Sequence, residues 1–233
     1  MIVLALDSTA LCATAAACVF ENGALSAYAV TTVKNALTHS ETLLPIADGV
    51  LGLIGYKMKD VGLFAVSVGP GSFTGVRIGV SLVKGLAFAD DLPCAAVSPL
   101  EALACSHSDF DGIVCAVMDA RRNQFYNALF KHGKRITPDR AISLEELAGE
   151  LGGGPALICG DGTELFCKGA GSRSFIPAPA ATREQNALAV ALCGYGIYSE
   201  GGAVSPSALS PVYLRKPQAE RERNARLNRE GKA

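Results

Sequence analysis

Ile2-Val3-Leu4-Ala5-Leu6-Asp7-Ser8-Thr9 is a short apolar run that ends in a carboxylate and continues into a small polar turn. The run Ile113–Met118, roughly halfway along the chain, ends in Asp119 in the same way. After each run the chain carries a second strand-like segment, a Phe-x-x-Gly turn and a third such segment. The first of these turns contains Asn22-Gly23, which is a strong hairpin signal. This internal similarity predicts two copies of one three-stranded unit.

Helical and strand-like segments alternate after each three-stranded unit. In the first half they are a helix over Thr38–Gly55, a strand over Leu63–Val68, a helix over Thr74–Ala89 and a strand over Cys94–Val97. In the second half they are a helix over Leu144–Leu151, a strand over Ala156–Cys159 and a final helix within Arg183–Tyr198. The sequence therefore predicts two α/β lobes with mixed sheets, each of the order βββαβαβα.

That order is typical of the two-lobed actin-like ATPase fold, the ASKHA or ribonuclease H-like class, which also includes hexokinases and Hsp70. We expect an N-terminal lobe over residues 1–100, a C-terminal lobe over 101–204 and a tail over 205–233, with the boundary between the lobes near Ser98–Ser108. The stretch Arg215–Ala233 holds seven Lys or Arg against three Glu. This composition favours a solvated end, with contact to a partner or to RNA as the alternative.

The amino-acid composition of the chain excludes several classes of protein. The formal net charge is −1, so the chain lacks the overall electrostatic signature of a nucleic-acid-binding protein, and any RNA contact is expected to be local or indirect. Eight cysteines without a single CxxC pair predict reduced, small core residues rather than zinc ligands. There is no basic segment before the first apolar run, and no apolar run approaches the ~20 residues of a membrane helix. We therefore expect a cytoplasmic protein without membrane contact.

In folds of this class, a strand-ending Asp and the turn after it hold phosphates and metal in each lobe. Asp7 and Ser8 form a passable first copy, because hydroxyls and turn amides can meet phosphate oxygens. Asp119 begins a poor second copy, which lacks glycine and carries two arginines. Gly160 and Gly162 lie in a turn after a strand, where Gly-Asp-Gly is also an ordinary tight turn. These five residues are candidates for nucleotide binding, and we predict no metal or cofactor bound by this chain alone.

The glycine-rich segment Ser67–Gly79 (SVGPGSFTGVRIG) lies between a predicted strand and a predicted helix, a context that suits an anion. It matches neither GxxxxGK[ST] nor GxGxxG, so we interpret it as a structural turn, with Ser72 or Thr74 capping the helix. The three histidines form no HxxxH pair, and no GxSxG motif supports a serine nucleophile. We predict no catalytic residue.

The helices predicted over Thr38–Gly55 and Thr74–Ala89 carry more apolar residues than a single sheet-facing stripe requires. Either each helix is sandwiched within its own chain, or a partner covers the extra surface, which could be a second copy in a homodimer. The predicted partner-binding residues are Leu43, Ile46, Ala47, Val50, Leu51, Val76, Gly79, Val80 and Val83. On this hypothesis Val50→Glu or Val80→Glu abolishes pairing and leaves the monomer folded.

These segments together resemble the TsaB family, also called YeaZ. The resemblance covers essentially the whole chain and rests on Ile2–Thr9, Ser67–Gly79, Met118–Tyr126 (MDARRNQFY) and Pro211–Lys216 (PVYLRK). It departs from the family where an acidic residue often follows the DAR motif, because Asn123-Gln124 occupy that place here.

The resemblance implies a non-catalytic, activating paralogue of TsaD that docks through its N-terminal-lobe helices. TsaD-like and TsaE-like partners then supply the metal and ATP chemistry for threonylcarbamoyladenosine formation next to the anticodon, in tRNAs that read codons beginning with A. TsaD-like chains hold their metal with an HxxxH pair, whereas this chain has His39 and Leu43 at that spacing. A homodimer is expected when the chain is alone, and tRNA contact only through the complex. The alternatives are a small-molecule kinase of the same fold and a peptidase acting on its partner.

Overall fold

The computed structural model describes residues 1–35, 38–152, 154–171 and 175–215. The first half comprises β1 (Ile2–Asp7), β2 (Ala13–Glu21), β3 (Ala24–Val33), α1 (His39–Leu53), a 3-10 turn (Met58–Asp60), β4 (Leu63–Ser67), α2 (Phe73–Phe88), β5 (Cys94–Val97) and α3 (Pro99–Cys105). The second half comprises β6 (Ile113–Asp119), β7 (Gln124–Lys131), β8 (Lys134–Arg135), β9 (Arg140–Ser143), α4 (Leu144–Leu151), β10 (Ala156–Cys159), α5 (Thr163–Gly169), β11 (Phe175–Pro177), α6 (Ala180–Arg183) and α7 (Ala187–Ser199).

Two mixed sheets form the framework. The first has the strand order β3-β2-β1-β4-β5, with β1 antiparallel to β2 and parallel to β4. The second has the order β11-β10-β6-β7-β8, with β9 also paired to β7, and β6 is antiparallel to β7 and parallel to β10. In both sheets the first strand of the half therefore lies at the centre. The α/β class and the duplicated arrangement are confirmed.

The continuous apolar pattern of β1 follows from cover on both faces of the first sheet. Leu4 and Leu6 pack into a cluster with the inward residues of α1 and α2. Val3 and Ala5, on the other face, pack against α7 through residues such as Val190. Successive side chains of a strand point to opposite faces, so a strand buried on both faces has no polar alternation.

The last helix of each half packs on the sheet of the other half. Leu100 and Leu103 of α3 join the core of the second sheet, together with Val114 of β6. In return, α7 lies on the first sheet, where a Cβ at Gly194 would overlap that of Ala65. The missing side chain therefore brings α7 close to the sheet.

Six elements within the described ranges were not predicted: the 3-10 turn at Met58–Asp60, α3, β9, α5, β11 and α6. Of these, α3 occupies the stretch expected to be the boundary between the lobes, since Ser98 caps it and Pro99 begins it. The domain limits themselves stay a prediction. No helix within the described ranges is long and apolar enough to cross a bilayer.

The chain after α7 follows the first lobe. Val204 bridges to Cys94, the amide of Val212 donates to the carbonyl of Val68 at 2.7 Å, and Leu209 is fully buried. Residues 216–233, which hold nearly all of the predicted basic tail, lie outside the described part of the chain.

Candidate functional site

The turn after β1 is closed around the carboxylate of Asp7. Its Oδ1 accepts hydrogen bonds from the amide and the hydroxyl of Thr9, both at 2.7 Å, and its Oδ2 accepts one from the Ser67 hydroxyl at 2.5 Å. Burial raises the pKa of Asp7, and the bonds from Ser67 and Thr9 oppose that shift. The carboxylate is 1% exposed, so it joins β1 to the end of β4 and does not reach solvent.

The Ser8 hydroxyl is also hydrogen-bonded within the protein. Its hydroxyl donates to the carbonyl of Gly75 at 2.8 Å, and the residue is 1% exposed. The polar atoms of Asp7 and Ser8 are thus bonded within the protein, and their assignment as nucleotide contacts stays a prediction.

The glycine-rich segment accounts for this closure. A Cβ at Gly75 would overlap the carbonyl oxygen of Ser8, and one at Gly79 would lie 2.7 Å from the Ser8 hydroxyl. Glycine at both positions lets the first turns of α2 lie directly on the turn after β1. The Ser72 hydroxyl accepts from the amide of Gly75 at 3.3 Å, which confirms the predicted helix cap.

The matching turn after β6 is open. Asp119 is exposed, and its Oδ1 accepts from the amide of Arg121 at 2.6 Å. Arg121, Arg122 and Asn123 all have positive φ, between 55° and 61°. The Arg215 guanidinium donates to the carbonyl of Ala120 at 2.7 Å and links this turn to the end of the described chain.

Gly160 and Gly162 have no free amides for a phosphate. The amide of Gly160 donates to the carbonyl of Arg183 at 2.6 Å, and that of Gly162 to the carbonyl of Val117 at 3.2 Å. Both glycines let the turn after β10 lie against β6. Their assignment as nucleotide contacts stays a prediction.

A polar cavity of about 240 Å³ lies between the turn after β1 and the turn after β10. It is lined by Leu11, Lys34, Gly160, Asp161, Glu164, Arg183 and Glu184. Two ion pairs border it, Lys34–Glu184 at 2.6 Å and Arg183–Glu164 at 3.0 Å. Burial raises the pKa of Asp161 to about 6, and its buried Oδ1 makes no hydrogen bond. Sequence reasoning named the Gly-Asp-Gly turn for its two glycines and gave no separate role to the Asp161 carboxylate between them.

The two helices singled out in the sequence have one buried and one outward face. Eight predicted partner-binding residues are buried: Leu43, Ala47, Val50, Leu51, Val76, Gly79, Val80 and Val83. Ile46 is half-buried. The eight cover the first sheet of their own chain, and their role in partner binding stays a prediction.

The outward faces remain apolar. Leu53 is 75% exposed, Phe88 73% and Leu44 45%, and Leu82 and Leu86 are half-buried beside them along the helices. We call the outward side chains Leu44, Ile46, Leu53, Ile78, Leu82, Leu86 and Phe88 the α1–α2 surface. The signal for it was the second stripe of α2 on a helical wheel; periodicity groups residues by face without indicating which face is buried.

Two of the three histidines lie within hydrogen-bonding distance of backbone carbonyls. The Nε2 atom of His39 lies 2.8 Å from the carbonyl of Ala10, and that of His107 lies 3.0 Å from the carbonyl of Thr182. Within the described ranges no group of three or more His, Cys, Asp or Glu side chains could hold a metal ion.

Comparison with known proteins places the chain in a family. A family model described as TsaD, tRNA N6-adenosine threonylcarbamoyltransferase, matches residues 33–162, more than half of the chain. The tRNA threonylcarbamoyladenosine biosynthesis protein TsaB of Bacillus subtilis is 35% identical over 192 residues, which cover 78% of this chain and 82% of the relative. The chain belongs to the TsaB family.

Two further matches agree with this assignment. TsaB of Haemophilus influenzae is 29% identical over 197 residues, covering 76% of this chain and 80% of the relative. The structure of YeaZ from Pseudomonas aeruginosa superposes with a TM-score of 0.77 at 25% identity, covering 91% of this chain and 99% of that one. The TsaB resemblance and the actin-like fold are thus confirmed. The glycines that close the turn after β1 belong to the sequence segment on which that resemblance rests.

Proposed function

We propose that this chain is a cytoplasmic, non-catalytic subunit in the formation of threonylcarbamoyladenosine in tRNA, the process for which its TsaB relatives are named. It docks on a TsaD-like transferase subunit and holds it in a competent arrangement. A TsaE-like ATPase completes the complex, and the products are tRNAs that read codons beginning with A. In the absence of these partners the same surface forms a homodimer.

The observation that carries a non-catalytic role is the closed turn after β1. The Asp7 carboxylate accepts three hydrogen bonds from Thr9 and Ser67, and the Ser8 hydroxyl is bonded to Gly75. An ATPase of this fold class needs such groups free to meet phosphate and metal. In this chain the Ser8 hydroxyl holds the start of α2 against the turn after β1, and the Asp7 carboxylate joins β1 to β4.

The α1–α2 surface supports the docking role. Large apolar side chains that remain more than two-thirds exposed, such as Leu53 and Phe88, gain burial only against another molecule. A Cβ at Gly49 or Gly52 of α1 would meet no atom within 4 Å, so an approaching helix would find little steric obstruction there. Helices that meet at small residues can approach closely.

Reconstitution tests the proposal. Purified TsaD-like and TsaE-like subunits with tRNA, threonylcarbamoyl donor and ATP are expected to produce threonylcarbamoyladenosine only when this chain is added, as measured by nucleoside mass spectrometry. Leu53→Glu is expected to abolish both product and co-elution with the TsaD-like subunit, whereas Ile136→Glu, a matched change at an exposed residue of the second half, is expected to leave both intact.

Undiminished product without this chain would refute the activating role. Co-elution unaffected by Leu53→Glu and Phe88→Glu together would refute the docking surface. Phosphate transfer by the isolated chain would favour the kinase alternative, and cleavage of the TsaD-like subunit on incubation would favour the peptidase alternative.

A further inference from the structure

Four arginines are connected by a chain of contacts that runs from the start of α2 to the turn after β6. The Nε atom of Arg77 on α2 donates to the Tyr213 hydroxyl at 3.0 Å. Two residues further along the chain, the Arg215 guanidinium donates to the carbonyl of Ala120 at 2.7 Å. The next two residues of that turn are the other two arginines. We call the following side chains the arginine patch: Arg77, Arg121, Arg122, Tyr213 and Arg215.

The positive charge of the patch is not neutralised by the described part of the chain. None of its arginines forms an ion pair with another described residue; the basic side chains that do so are Lys34, Arg135, Arg140 and Arg183. Asp119 lies in the same turn, but it accepts a hydrogen bond from the amide of Arg121 rather than from a guanidinium. Four guanidinium groups beside one carboxylate give a local positive surface on a chain whose formal net charge is −1.

Aromatic rings hold the guanidinium of Arg77 in place. Its Cζ lies 3.8 Å from the centroid of the Phe73 ring and 5.9 Å from that of Tyr213, and the two rings are 4.9 Å apart. Its Nε is bonded to Tyr213, whereas its two terminal nitrogens make no hydrogen bond to a described residue. Such a fork matches the oxygens of a phosphate. Tyr213 is 41% exposed, so its ring also has area open to a ligand.

The turn that carries Arg121 and Arg122 has a strained backbone. Both residues have positive φ, 61° and 57°, a region that glycine enters freely and L-residues avoid. Both side chains are nevertheless large, charged and exposed. Stability alone would favour glycine at these positions, so the strain points to a use for the two charges.

We propose that the arginine patch binds tRNA directly, with the guanidinium groups on backbone phosphates and the Tyr213 ring against an unpaired base. A positive surface with an aromatic ring beside it is the combination with which proteins hold single-stranded nucleic acid. An acidic protein would meet the same charge but would leave the ring unused. The choice of tRNA rests on the function proposed above, and the inference adds a direct contact by this chain where the sequence predicted contact only through the complex.

The first test measures the affinity of the isolated, full-length chain for tRNA. An unmodified transcript that reads a codon beginning with A carries a fluorescent label at its 3′ end, and anisotropy follows binding between about 50 and about 200 mM salt. Each phosphate contact contributes slightly less than one to the slope of log K against log[salt], so four arginines predict a slope of about −3. No binding at about 50 mM salt, or an affinity independent of salt, would overturn the proposal.

Charge-matched variants locate the contact. Arg121→Gln combined with Arg122→Gln should weaken binding about 10-fold and make the salt slope shallower by about 2. Lys131→Gln combined with Lys134→Gln removes the same charge at exposed positions beyond the other end of β7 and should change neither quantity. Arg122→Gly alone should also weaken binding. Because relief of the positive φ is expected to stabilise that variant, unfolding would not explain its weaker binding.

The remaining outcomes separate this proposal from its alternatives. Equal losses of affinity in the two double variants would show an effect of net charge only and overturn the patch. Poly-L-glutamate at equal charge should displace little tRNA; full displacement would favour an acidic protein and overturn the choice of RNA. Arginine-dependent binding with a failed reconstitution would refute the activating role alone. Successful reconstitution with binding that does not depend on the arginines would refute this inference alone.

Discussion

The hydroxyl of Ser8 donates a hydrogen bond to the carbonyl oxygen of Gly75 over 2.8 Å, and this bond ties the turn after β1 to the start of α2. In an ATPase of the same architecture that turn would be free for phosphate. Here the helix that presents the α1–α2 surface lies on top of it. One contact therefore both closes the turn after β1 and positions the helix that carries half of the α1–α2 surface.

Gly75→Ala is expected to destabilise the chain strongly, because the added Cβ would meet the backbone oxygen of Ser8, which cannot move without shifting β1. Overpacking of this kind costs about 1–3 kcal/mol or more. Gly85→Ala on the same helix is the control: its Cβ would meet nothing within 4 Å, and alanine favours a helix by about 1 kcal/mol. Urea unfolding should show the first midpoint fall and the second rise; two equal midpoints would contradict the packing argument.

Asp161 is expected to make stability fall as the pH rises from about 4 to about 7. Burial raises its folded pKa to about 6 from the ordinary value of 3.8, so in that interval the folded state binds more protons than the unfolded state. The difference corresponds to at most about 3 kcal/mol at pH 7. Asp161→Asn should remove this slope and be the more stable protein at pH 7.5. If the free energies of unfolding of the two proteins changed with pH in the same way, the prediction would be wrong.

Val80→Glu is expected to unfold the monomer rather than only to block pairing, which reverses the expectation drawn from the sequence. Val80 is 2% exposed in the cluster beneath α2, and an unpaired buried charge costs about 3–5 kcal/mol. Ser81→Glu, one residue along on the exposed face, should change stability by less than about 0.5 kcal/mol. Thermal unfolding followed by circular dichroism separates the two, and a well-folded Val80→Glu monomer would show that the burial is misassigned.

Arg122→Gly is expected to stabilise the chain by up to about 1 kcal/mol, because a left-handed backbone costs an L-residue about 1–2 kcal/mol, partly offset by the greater freedom of unfolded glycine. Lys131→Gly, at an exposed position at the end of β7, lacks that strain and should destabilise. Chemical denaturation of both variants measures the contrast. A loss of stability in both would indicate that the turn after Asp119 is not strained.

The order of strands and helices was predictable because it follows from the pattern of apolar and polar residues within short segments. The strands at Cys94–Val97 and Ala156–Cys159 and the helix at Leu144–Leu151 have the predicted bounds. The two repeats were recognisable because each places an Asp at the end of its central strand. By contrast, α5 and β11 are short, and neither shows a strong periodic signal.

The candidate site was less predictable, because its chemistry depends on contacts between distant residues. Asp7 looks like a phosphate ligand until Ser67, sixty residues away, is seen to occupy its second oxygen. Val50 and Leu53 both belong to the apolar set of α1, yet one is fully buried and the other 75% exposed. Helical periodicity identifies the apolar residues of a helix. Which of them stay exposed to solvent depends on where the sheet lies against the helix.

The exchange of α3 and α7 between the two sheets affects how the chain is made. The first sheet lacks the cover for its second face until α7, among the last described segments, has left the ribosome. Nascent chains stalled after β5 should therefore hold an uncovered surface around Val3 and Ala5. Folding of the first sheet is therefore complete only after α7 has been synthesised. We expect chaperones to bind the uncovered first half during synthesis.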